Sequence, residues 1–460
     1  MEMFLSEKLI DDVRDGQLEL HCIAVCISQR LEAGVKLNGY GMLKINQVGT
    51  IYLEFICLEA VNLKSQTTSG FHTVYPDDPF DANQKLYLEA QTLHGDKVFA
   101  KDFSIQISVF NRQSPYRIHV YLNEIYFCNQ DAQTQRSNNY MYIEMPGKAG
   151  MPANKMNTES NSYGGESSSW NETEIQMEET KVNIVNRHNR IEVRARGDFD
   201  PDDLYQAILF YIGLSSGILP QPYCSIKYRG GDGTMHFKSI RKGLIGKTIP
   251  APITGAAVGD GFPSSHFAIL SSMLEIKSDN PLRFNSAYSQ WQRVWHAFQS
   301  ENNIAVLTLS VAIEGLLNDV FIPALKRTIV DQGLEAAKAA LIEQLIKIEG
   351  RDDHRNTLIS SVERWGNIHA AKALGLLIDL GLVTKEEKRA WSDLRNSAAH
   401  PTYKEETEAG ELRMRRRIST SLTLFYRLLL NIFSYTGPMY EFQVNEKPKF
   451  VIRPYVQLLE

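Results

Sequence analysis

An arginine, an asparagine and a histidine with clear potential for chemistry lie close together in the last third of the chain. Arg395, Asn396 and His400 fall within the stretch Trp391-Ser-Asp-Leu-Arg-Asn-Ser-Ala-Ala-His-Pro-Thr-Tyr. Residues four apart share one face of a helix, so Asn396 and His400 are expected to point the same way. Pro401 disfavours helical backbone at His400, which leaves the imidazole at the frayed end of the helix.

These three residue types suit cleavage of an RNA chain by its own 2′-hydroxyl group. A histidine exchanges protons near neutral pH. An arginine holds a phosphate with two parallel hydrogen bonds and stabilises the charge that develops on it, and an asparagine can orient either group. Such a reaction needs no metal. The structural alternative is that the arginine and the histidine only cap the last carbonyl groups of their helix.

Two further sets of charged residues can support such a site. Glu314 lies at the edge of an apolar stripe and needs a partner, because an unpaired buried charge is costly. It is either a structural partner of an arginine on the helix of Arg395 or on a neighbouring helix, or a third site residue that positions Arg395. Four arginines on the following helix either bind an RNA backbone or form a solvated face. They are Arg413, Arg415, Arg416 and Arg417.

The elements that position these residues begin with a β-rich region. The 460 residues are 43% hydrophobic and 22% charged, with a net charge of −5, which is typical of a soluble globular protein with two or three domains. Any nucleic-acid site must then be a local patch. Alternating polar and apolar residues predict a sandwich or a strongly curved sheet over 17–142. We assign a β-rich domain to 1–195, with a mobile loop at the Gly-, Ser- and Asn-rich stretch 147–174.

The rest of the chain is predicted to be mainly helical, which gives a multidomain α+β protein. A small α/β connector is expected at 196–262, an all-α bundle of about five helices at 263–436, and an extended tail at 437–460 that folds back on the body. Apolar residues at helical spacing are expected to face inward on several helices of the bundle. On one of these helices they are Ile304, Leu307 and Val311.

Other features of the sequence restrict the location and the cofactors. Five cysteines without a C-x-x-C pair indicate free thiols in a reducing cytoplasm. The beginning of the sequence has no signal-peptide pattern, and the most apolar run, 422–433, is too short to cross a membrane. Phosphate-binding loops, dinucleotide fingerprints and paired metal-ligand spacings are missing from the sequence. We therefore expect a cytoplasmic protein with neither a membrane partner, a metal nor a cofactor.

The segment Arg395-Asn396-x-x-x-His400 resembles the R-x4–6-H motif of HEPN domains, which often carry an asparagine directly after the arginine. The context is also similar, because the motif falls late in a helical bundle and a long final helix follows. The stretch Leu307-Thr-Leu-Ser-Val-Ala-Ile-Glu-Gly-Leu-Leu resembles the first long helix of HEPN domains, in which an acidic residue interrupts an apolar face. The resemblance covers roughly residues 265–435.

This resemblance implies a metal-independent endoribonuclease that forms a homodimer, with two motifs facing each other across a shared cleft. By position, Arg395 would hold the scissile phosphate, His400 would act in acid–base catalysis and Asn396 would orient them. The products would carry a 2′,3′-cyclic phosphate and a 5′-hydroxyl. Some toxin members have a tyrosine two residues after the histidine. Here that position is Thr402, so Tyr403 is only a supporting candidate.

The β-rich region carries a second resemblance. The stretch Leu37-Asn-Gly-Tyr-Gly-Met-Leu-Lys-Ile is similar to the N-terminal region of ApeA-type defence proteins. HEPN ribonucleases with this layout occur in bacterial abortive-infection defence against phage. The resemblance therefore implies an RNA-cleaving effector, with the β-rich domain detecting a phage-derived trigger or restraining the nuclease. The alternative is a HEPN-like bundle that binds nucleotide or RNA, or only dimerises. A metal-dependent nuclease is disfavoured because no carboxylate cluster is present.

Overall fold

The computed structural model describes residues 7–63, 72–76, 78–108, 115–129, 139–160, 166–253, 262–328, 332–348, 351–399, 407–444, 447–452 and 456–457. The chain divides into two compact units, Met1–Thr248 and Ile249–Glu460. The first unit consists mainly of strands and the second mainly of helices. The predicted α+β composition with a β-rich N-terminal half is therefore confirmed.

The first unit contains two α-helices and sixteen strands among its described residues. In chain order they are α1 (Glu7–Asp15), β1 (Glu19–Gln29), β2 (Lys36–Ile45), β3 (Ile51–Val61), β4 (His72–Tyr75), β5 (Leu86–Thr92), β6 (Lys97–Phe103), β7 (Ile105–Ser108), β8 (Tyr116–Leu122), β9 (Glu124–Asn129), β10 (Asn139–Pro146), β11 (Lys155–Ser160), β12 (Glu166–Met177), β13 (Thr180–Asn186), β14 (Arg190–Gly197), α2 (Pro201–Ser216), β15 (Cys224–Arg229) and β16 (Asp232–Lys238).

Fourteen of these strands form one antiparallel sheet. Their order is β11-β12-β13-β14-β10-β15-β16-β9-β6-β5-β1-β2-β3-β8, and β4 pairs separately with β7. Only Asn123 separates β8 from β9 in the chain, yet five strands lie between them in the sheet. The sheet must therefore curl back on itself. Of the two predicted alternatives, a sandwich and a strongly curved sheet, the structure shows the curved sheet.

The period-2 pattern of the strands builds the core of this unit. In β3 every second residue is buried, namely Ile51, Leu53, Phe55 and Cys57. Successive side chains of a strand point to opposite faces, so one face of the curved sheet carries the apolar side chains inward. All five cysteines are free thiols, as the sequence predicts.

The sequence predicts a mobile loop at 147–174, and this prediction is wrong where the structure describes the stretch. Strand β11 and most of β12 lie there as a hairpin at the end of the sheet. Met156 and Trp170 face each other across this hairpin and are 51% and 67% exposed. A terminal hairpin is held by its backbone hydrogen bonds and buries little side-chain surface, so it can form from a sequence poor in aliphatic residues.

The hairpin of β15 and β16 lies within the large sheet and not in a separate connector. Strand β15 pairs with β10 and β16 pairs with β9, so the part of the predicted connector up to Thr248 belongs to the first compact unit. The helix before the hairpin, α2, has a well-formed N-terminus. The Asp200 side chain caps it by accepting hydrogen bonds from the backbone N–H groups of Asp202 and Asp203, and Pro201 is its first residue.

The second unit contains nine α-helices and one β-hairpin among its described residues. They are α3 (Phe262–Asp279), α4 (Pro281–Ala297), α5 (Asn302–Leu316), α6 (Ile322–Thr328), α7 (Gln332–Ile346), α8 (Asp352–Glu363), α9 (Ala370–Asp379), α10 (Lys385–Ala399), α11 (Glu408–Ile432), β17 (Pro438–Glu441) and β18 (Lys449–Ile452). A five-residue π-helical segment, Leu317–Phe321, joins α5 to α6.

Helix α5 is the central helix of this unit. It packs against α4, α10 and α11, and large side chains such as Trp291, Trp295 and Trp391 are fully buried around it. The continuous helical stretch Asn302–Arg327 is long and apolar enough to cross a membrane by length and composition alone. More than half of its most apolar window is buried against other helices, as in the core helix of a soluble protein.

The C-terminal hairpin packs on the last helix. The backbone N–H of Phe442 donates to the Thr423 hydroxyl at 3.0 Å, and the backbone N–H of Tyr440 donates to the Pro252 carbonyl at 2.7 Å. Helix α11 buries Leu422, Phe425, Leu429 and Ile432, which are spaced three or four residues apart and so lie on one face of the helix.

Candidate functional site

The candidate site is built around an ion pair between α10 and α5. The Arg395 Nε donates to Glu314 Oε2 at 2.9 Å, and its Nη2 donates to Glu314 Oε1 at 3.2 Å. The two side chains are 49% and 31% exposed. The hydrogen bonds that Arg395 donates to Glu314 raise the pKa of Arg395 above its ordinary value, so the guanidinium stays charged. The expected pairing of Glu314 with an arginine of the motif helix is confirmed.

A buried tryptophan one turn away fixes the two helices relative to each other. The Trp391 indole N–H donates to the Ser310 carbonyl at 3.1 Å, and both residues are buried. Trp391 and Ser310 each lie four residues before a member of the ion pair, so two contacts hold α10 against α5 over one helical turn. The Arg395 guanidinium also lies 5.9 Å from the centre of the Trp391 ring.

The other candidate residues of the motif follow Arg395 in the sequence. Asn396 is exposed beside Arg395, and α10 ends at Ala399. His400 and Tyr403 lie outside the described residues. The described part of the site therefore consists of Arg395, Asn396 and Glu314.

The four arginines of α11 do not form one shared surface. Arg417 pairs with Asp393 of α10 at 2.8 Å and is the one of the four that connects to the motif helix by a described ion pair. Arg415 pairs with Glu411 one turn earlier, and Arg413 donates to the Ala409 carbonyl. These contacts are typical of a solvated helix face.

Arg416 lines a separate cavity at the beginning of α10. This cavity of about 420 Å³ is lined by polar residues, including Glu386, Glu387 and Glu441. Arg427 pairs with Glu387 at 2.8 Å and with Glu441 at 2.9 Å. Three carboxylates make this cavity unsuited to a phosphate backbone, so Arg416 is a poor candidate for RNA binding.

Helix α5 carries an exposed apolar stripe that is not predicted from the sequence. Ile304, Leu307 and Val311 are 49%, 49% and 52% exposed, so the prediction that they face inward is wrong. The opposite face of α5 is the buried one, with residues such as Leu309 and Ile313. Because α5 is apolar nearly all round, its periodicity cannot show which face packs inside. The stripe continues at helical spacing to Glu314.

Comparisons of the chain with protein-family models, with curated proteins and with solved structures find no match. Across the part of the chain that the structure describes, no three His, Cys, Asp or Glu side chains are grouped so that they could hold a metal ion. The geometry on α5 and α10 and the resemblance of the motif are therefore the basis for a functional proposal.

Proposed function

We propose that this chain is a metal-independent endoribonuclease of the HEPN type, the effector of an anti-phage abortive-infection defence similar to ApeA-type proteins, acting in the cytoplasm. The observation that carries the proposal is the partly exposed ion pair of Arg395 and Glu314. Asn396 follows Arg395 directly, and His400 comes four residues after Asn396. A charged arginine at the surface, held in one orientation by a carboxylate, is the group that a phosphodiester site needs.

In the proposed reaction, Arg395 binds the scissile phosphate and Glu314 positions it. The described hydrogen bonds of Arg395 use Nε and Nη2, which leaves Nη1 to contact a phosphate oxygen. A histidine base, His400, accepts the proton of the RNA 2′-hydroxyl while the 2′-oxygen attacks the neighbouring phosphorus. The bond from phosphorus to the 5′-oxygen breaks, and that oxygen takes up a proton. The products are a 2′,3′-cyclic phosphate and a 5′-hydroxyl, and Asn396 orients the reacting groups.

The exposed stripe on α5 supports a homodimer through the helical unit. Ile304, Leu307 and Val311 form a continuous apolar face that ends at Glu314, beside Arg395. Burying such a face against a second copy removes apolar surface from water. The same contact brings two Arg395–Glu314 pairs close together, which gives the shared cleft that the resemblance implies.

The first unit has the role of detecting infection or restraining the nuclease. This assignment is supported by the second resemblance and by the compactness of Met1–Thr248 as a unit distinct from the helical one. A free ribonuclease would damage its own cell, so the effector requires a control element. A phage-derived trigger is the expected partner.

The test is cleavage of labelled single-stranded RNA and host tRNA by the full-length chain in the presence of EDTA. Arg395→Ala and His400→Ala are each expected to lower the cleavage rate by about 100-fold or more. Arg355→Ala is the matched control, because Arg355 also pairs with a carboxylate, Asp352, but is not one of the candidate site residues, and its rate should stay within about threefold.

A second experiment, in infected cells, applies to the case in which the first unit inhibits the nuclease of the purified full-length chain. RNA is collected during phage infection and its ends are mapped, and cyclic-phosphate ends are expected with the wild type but not with His400→Ala. Cleavage that needs added Mg²⁺, or that is equal in wild type and His400→Ala, contradicts the proposal.

The second candidate is a module that binds RNA or nucleotide without cleaving it. It is favoured by the surface guanidinium of Arg395, whose bonds to Glu314 use Nε and Nη2, because such a group can hold a phosphate whether or not cleavage follows. RNA binding by the wild type, without cleaved ends in either experiment, would support this candidate.

A further inference from the structure

Two buried carboxylates lie side by side in the sheet of the first unit. Glu144 on β10 and Glu192 on β14 are directly opposite each other in the antiparallel register. They are 0% and 4% exposed. Like charges directly across a strand pair repel, and their burial is costly unless cations neutralise them.

Glu144 is the more completely enclosed of the two carboxylates. Arg14 donates to it at 2.5 Å, the Tyr142 hydroxyl donates at 2.6 Å, the Tyr223 hydroxyl also donates, and Arg190 Nε lies 3.1 Å away. Burial alone would raise the pKa of Glu144, but the hydrogen bonds from Arg14, Tyr142 and Tyr223 outweigh it and lower the pKa. Glu144 is therefore a carboxylate that is already satisfied from within the protein.

Glu192 is approached by three guanidinium groups. Arg190 approaches it at 2.8 Å, Arg194 at 3.2 Å and Arg187 at 3.4 Å. The three guanidinium groups therefore lie close together around one carboxylate, and Arg190 is shared with Glu144. A further anion nearby would stabilise these arginines, because they repel one another.

A cavity lies on the cationic side of this cluster. It has a volume of about 480 Å³, and its described lining residues, Asn171, Asn186, Arg187, His188 and Arg190, include no carboxylate. The lining belongs to β12, to the end of β13, to the start of β14 and to the turn between β13 and β14. The backbone N–H of Arg187 in this turn donates to the Arg190 carbonyl at 2.8 Å.

The wall of the cavity is held in place by amide contacts. Asn186 exchanges two hydrogen bonds with the backbone of Ala149, at 2.7 and 3.1 Å, and Asn171 donates to the Asn186 carbonyl at 3.1 Å. The Oδ1 atom of Asn171 is buried and accepts no hydrogen bond from the described residues. An acceptor of this kind suits a hydroxyl or amino group of a ligand.

We propose that this cavity binds a small phosphate-bearing ligand of nucleotide size. Arg187 and Arg190 provide guanidinium groups that are held by Glu192 and can hydrogen-bond to phosphate oxygens. A volume of about 480 Å³ lies within the range of small-molecule sites. The site is formed within the first unit alone, so it stands independently of the proposed ribonuclease.

The test is isothermal titration calorimetry of the full-length chain with ATP in EDTA at low salt. ATP is expected to bind at one site with a dissociation constant below about 1 mM. Inorganic triphosphate should bind as well, more weakly, and adenosine should not bind. Citrate tests for a general anion site. Binding of citrate as tight as that of ATP, or no binding of ATP, overturns the proposal.

Paired arginine variants locate the binding site. Arg187→Gln is expected to weaken ATP binding by about tenfold or more, because it removes a cation from the cavity. Arg194→Gln loses the same Glu192 partner but does not line the cavity, so its affinity should change by less than about threefold. Equal affinities of wild type and Arg187→Gln, or equal losses in both variants, contradict the assignment.

Two further variants keep the test decisive. His188→Ala alters the lining without removing an ion pair of Glu192 and is expected to weaken binding by about threefold, which provides a result if Arg187→Gln fails to fold. Arg395→Ala should leave ATP binding unchanged. A loss of binding in Arg395→Ala would place the ligand at the candidate ribonuclease site instead.

Discussion

Two arginine–glutamate pairs tie α10 to the rest of the helical unit, and they differ in burial. Arg427 of α11 pairs with Glu387 at the beginning of α10, and the two side chains are 3% and 4% exposed. Arg395 near the end of α10 pairs with Glu314, and these side chains are 49% and 31% exposed. The same two residue types thus form one interior pair and one surface pair on a single helix.

The difference determines which arginine can interact with a ligand. Glu387 also accepts a hydrogen bond from the Thr384 backbone and Arg427 also pairs with Glu441, so the buried pair belongs to a network that stabilises the fold. The exposed pair contributes little to stability because water and salt screen it. Arg395 can therefore exchange part of its interaction with Glu314 for a phosphate at a low free-energy cost.

The largest expected effect is the destabilisation caused by Arg427→Met. This change leaves Glu387 as a buried charge without its cation, and we expect the free energy of unfolding to fall by about 3–5 kcal/mol. Arg395→Met, the matched change in the exposed pair, should lower it by less than about 1 kcal/mol. Urea unfolding followed by tryptophan fluorescence measures both. Equal losses in the two variants would show that burial does not distinguish the pairs.

An arginine partner for Glu314 could be predicted from the sequence, with Arg395 among the alternatives, but the partners of Arg427 could not. An acidic residue at the edge of an apolar stripe needs a cation, and the motif helix offered Arg395. Arg427 appears in the sequence only as an interruption of an apolar run. Its partners, Glu387 and Glu441, lie 40 and 14 residues away, and no local pattern connects them.

The fold was predictable to a similar extent. Alternation identified the β-rich half and helical spacing identified the bundle, because both are local signals. The place of the β15–β16 hairpin in the middle of the sheet depends on pairing with β10, which is distant in the chain. The outward stripe of Ile304, Leu307 and Val311 also depends on tertiary packing, since both faces of α5 are apolar.

A buried histidine gives the second-largest expected effect, a dependence of stability on pH. His266 is 3% exposed on α3, and burial lowers its pKa to about 4. The unfolded chain binds this proton below pH ~6.5 but the folded chain does not until about pH 4. Its stabilising contribution is therefore complete above pH ~6.5 and is lost as the pH falls towards 4, by about 3 kcal/mol in total.

Urea unfolding of wild type and His266→Phe from pH 7 to pH 4 isolates this contribution, because the carboxylates are common to both proteins. As the pH falls over this range, the unfolding free energy of the wild type should decrease more than that of His266→Phe. His296→Phe, at an exposed histidine on α4, is the control and should follow the wild type. A His266→Phe variant with the pH profile of the wild type would show that His266 is not the group responsible.

The third prediction concerns the stripe that ends at the exposed pair. Leu307→Arg places a charge in the centre of the proposed dimer face, and we expect dimer affinity to fall by about tenfold or more. Leu282→Arg is the control, since Leu282 is 82% exposed on α4 and is not part of the stripe. Sedimentation velocity over a concentration series measures the change. A monomeric wild type, or equal affinities in the two variants, contradicts a dimer through this face.

The smallest expected effect comes from the pair of Arg417 and Asp393, which joins α11 to α10 at 37% exposure on both sides. Its exposure is close to that of Arg395 and Glu314, so a double-mutant cycle with Arg417→Ala and Asp393→Ala should give a coupling energy of less than about 1 kcal/mol. Arg417→Ala should also make RNA binding less dependent on salt if its guanidinium contacts a phosphate. A coupling energy as large as the loss of unfolding free energy expected for Arg427→Met would mean that exposure does not determine the strength of these ion pairs. Exposure would then give no reason to expect that Arg395 can bind a phosphate more easily than Arg427 can.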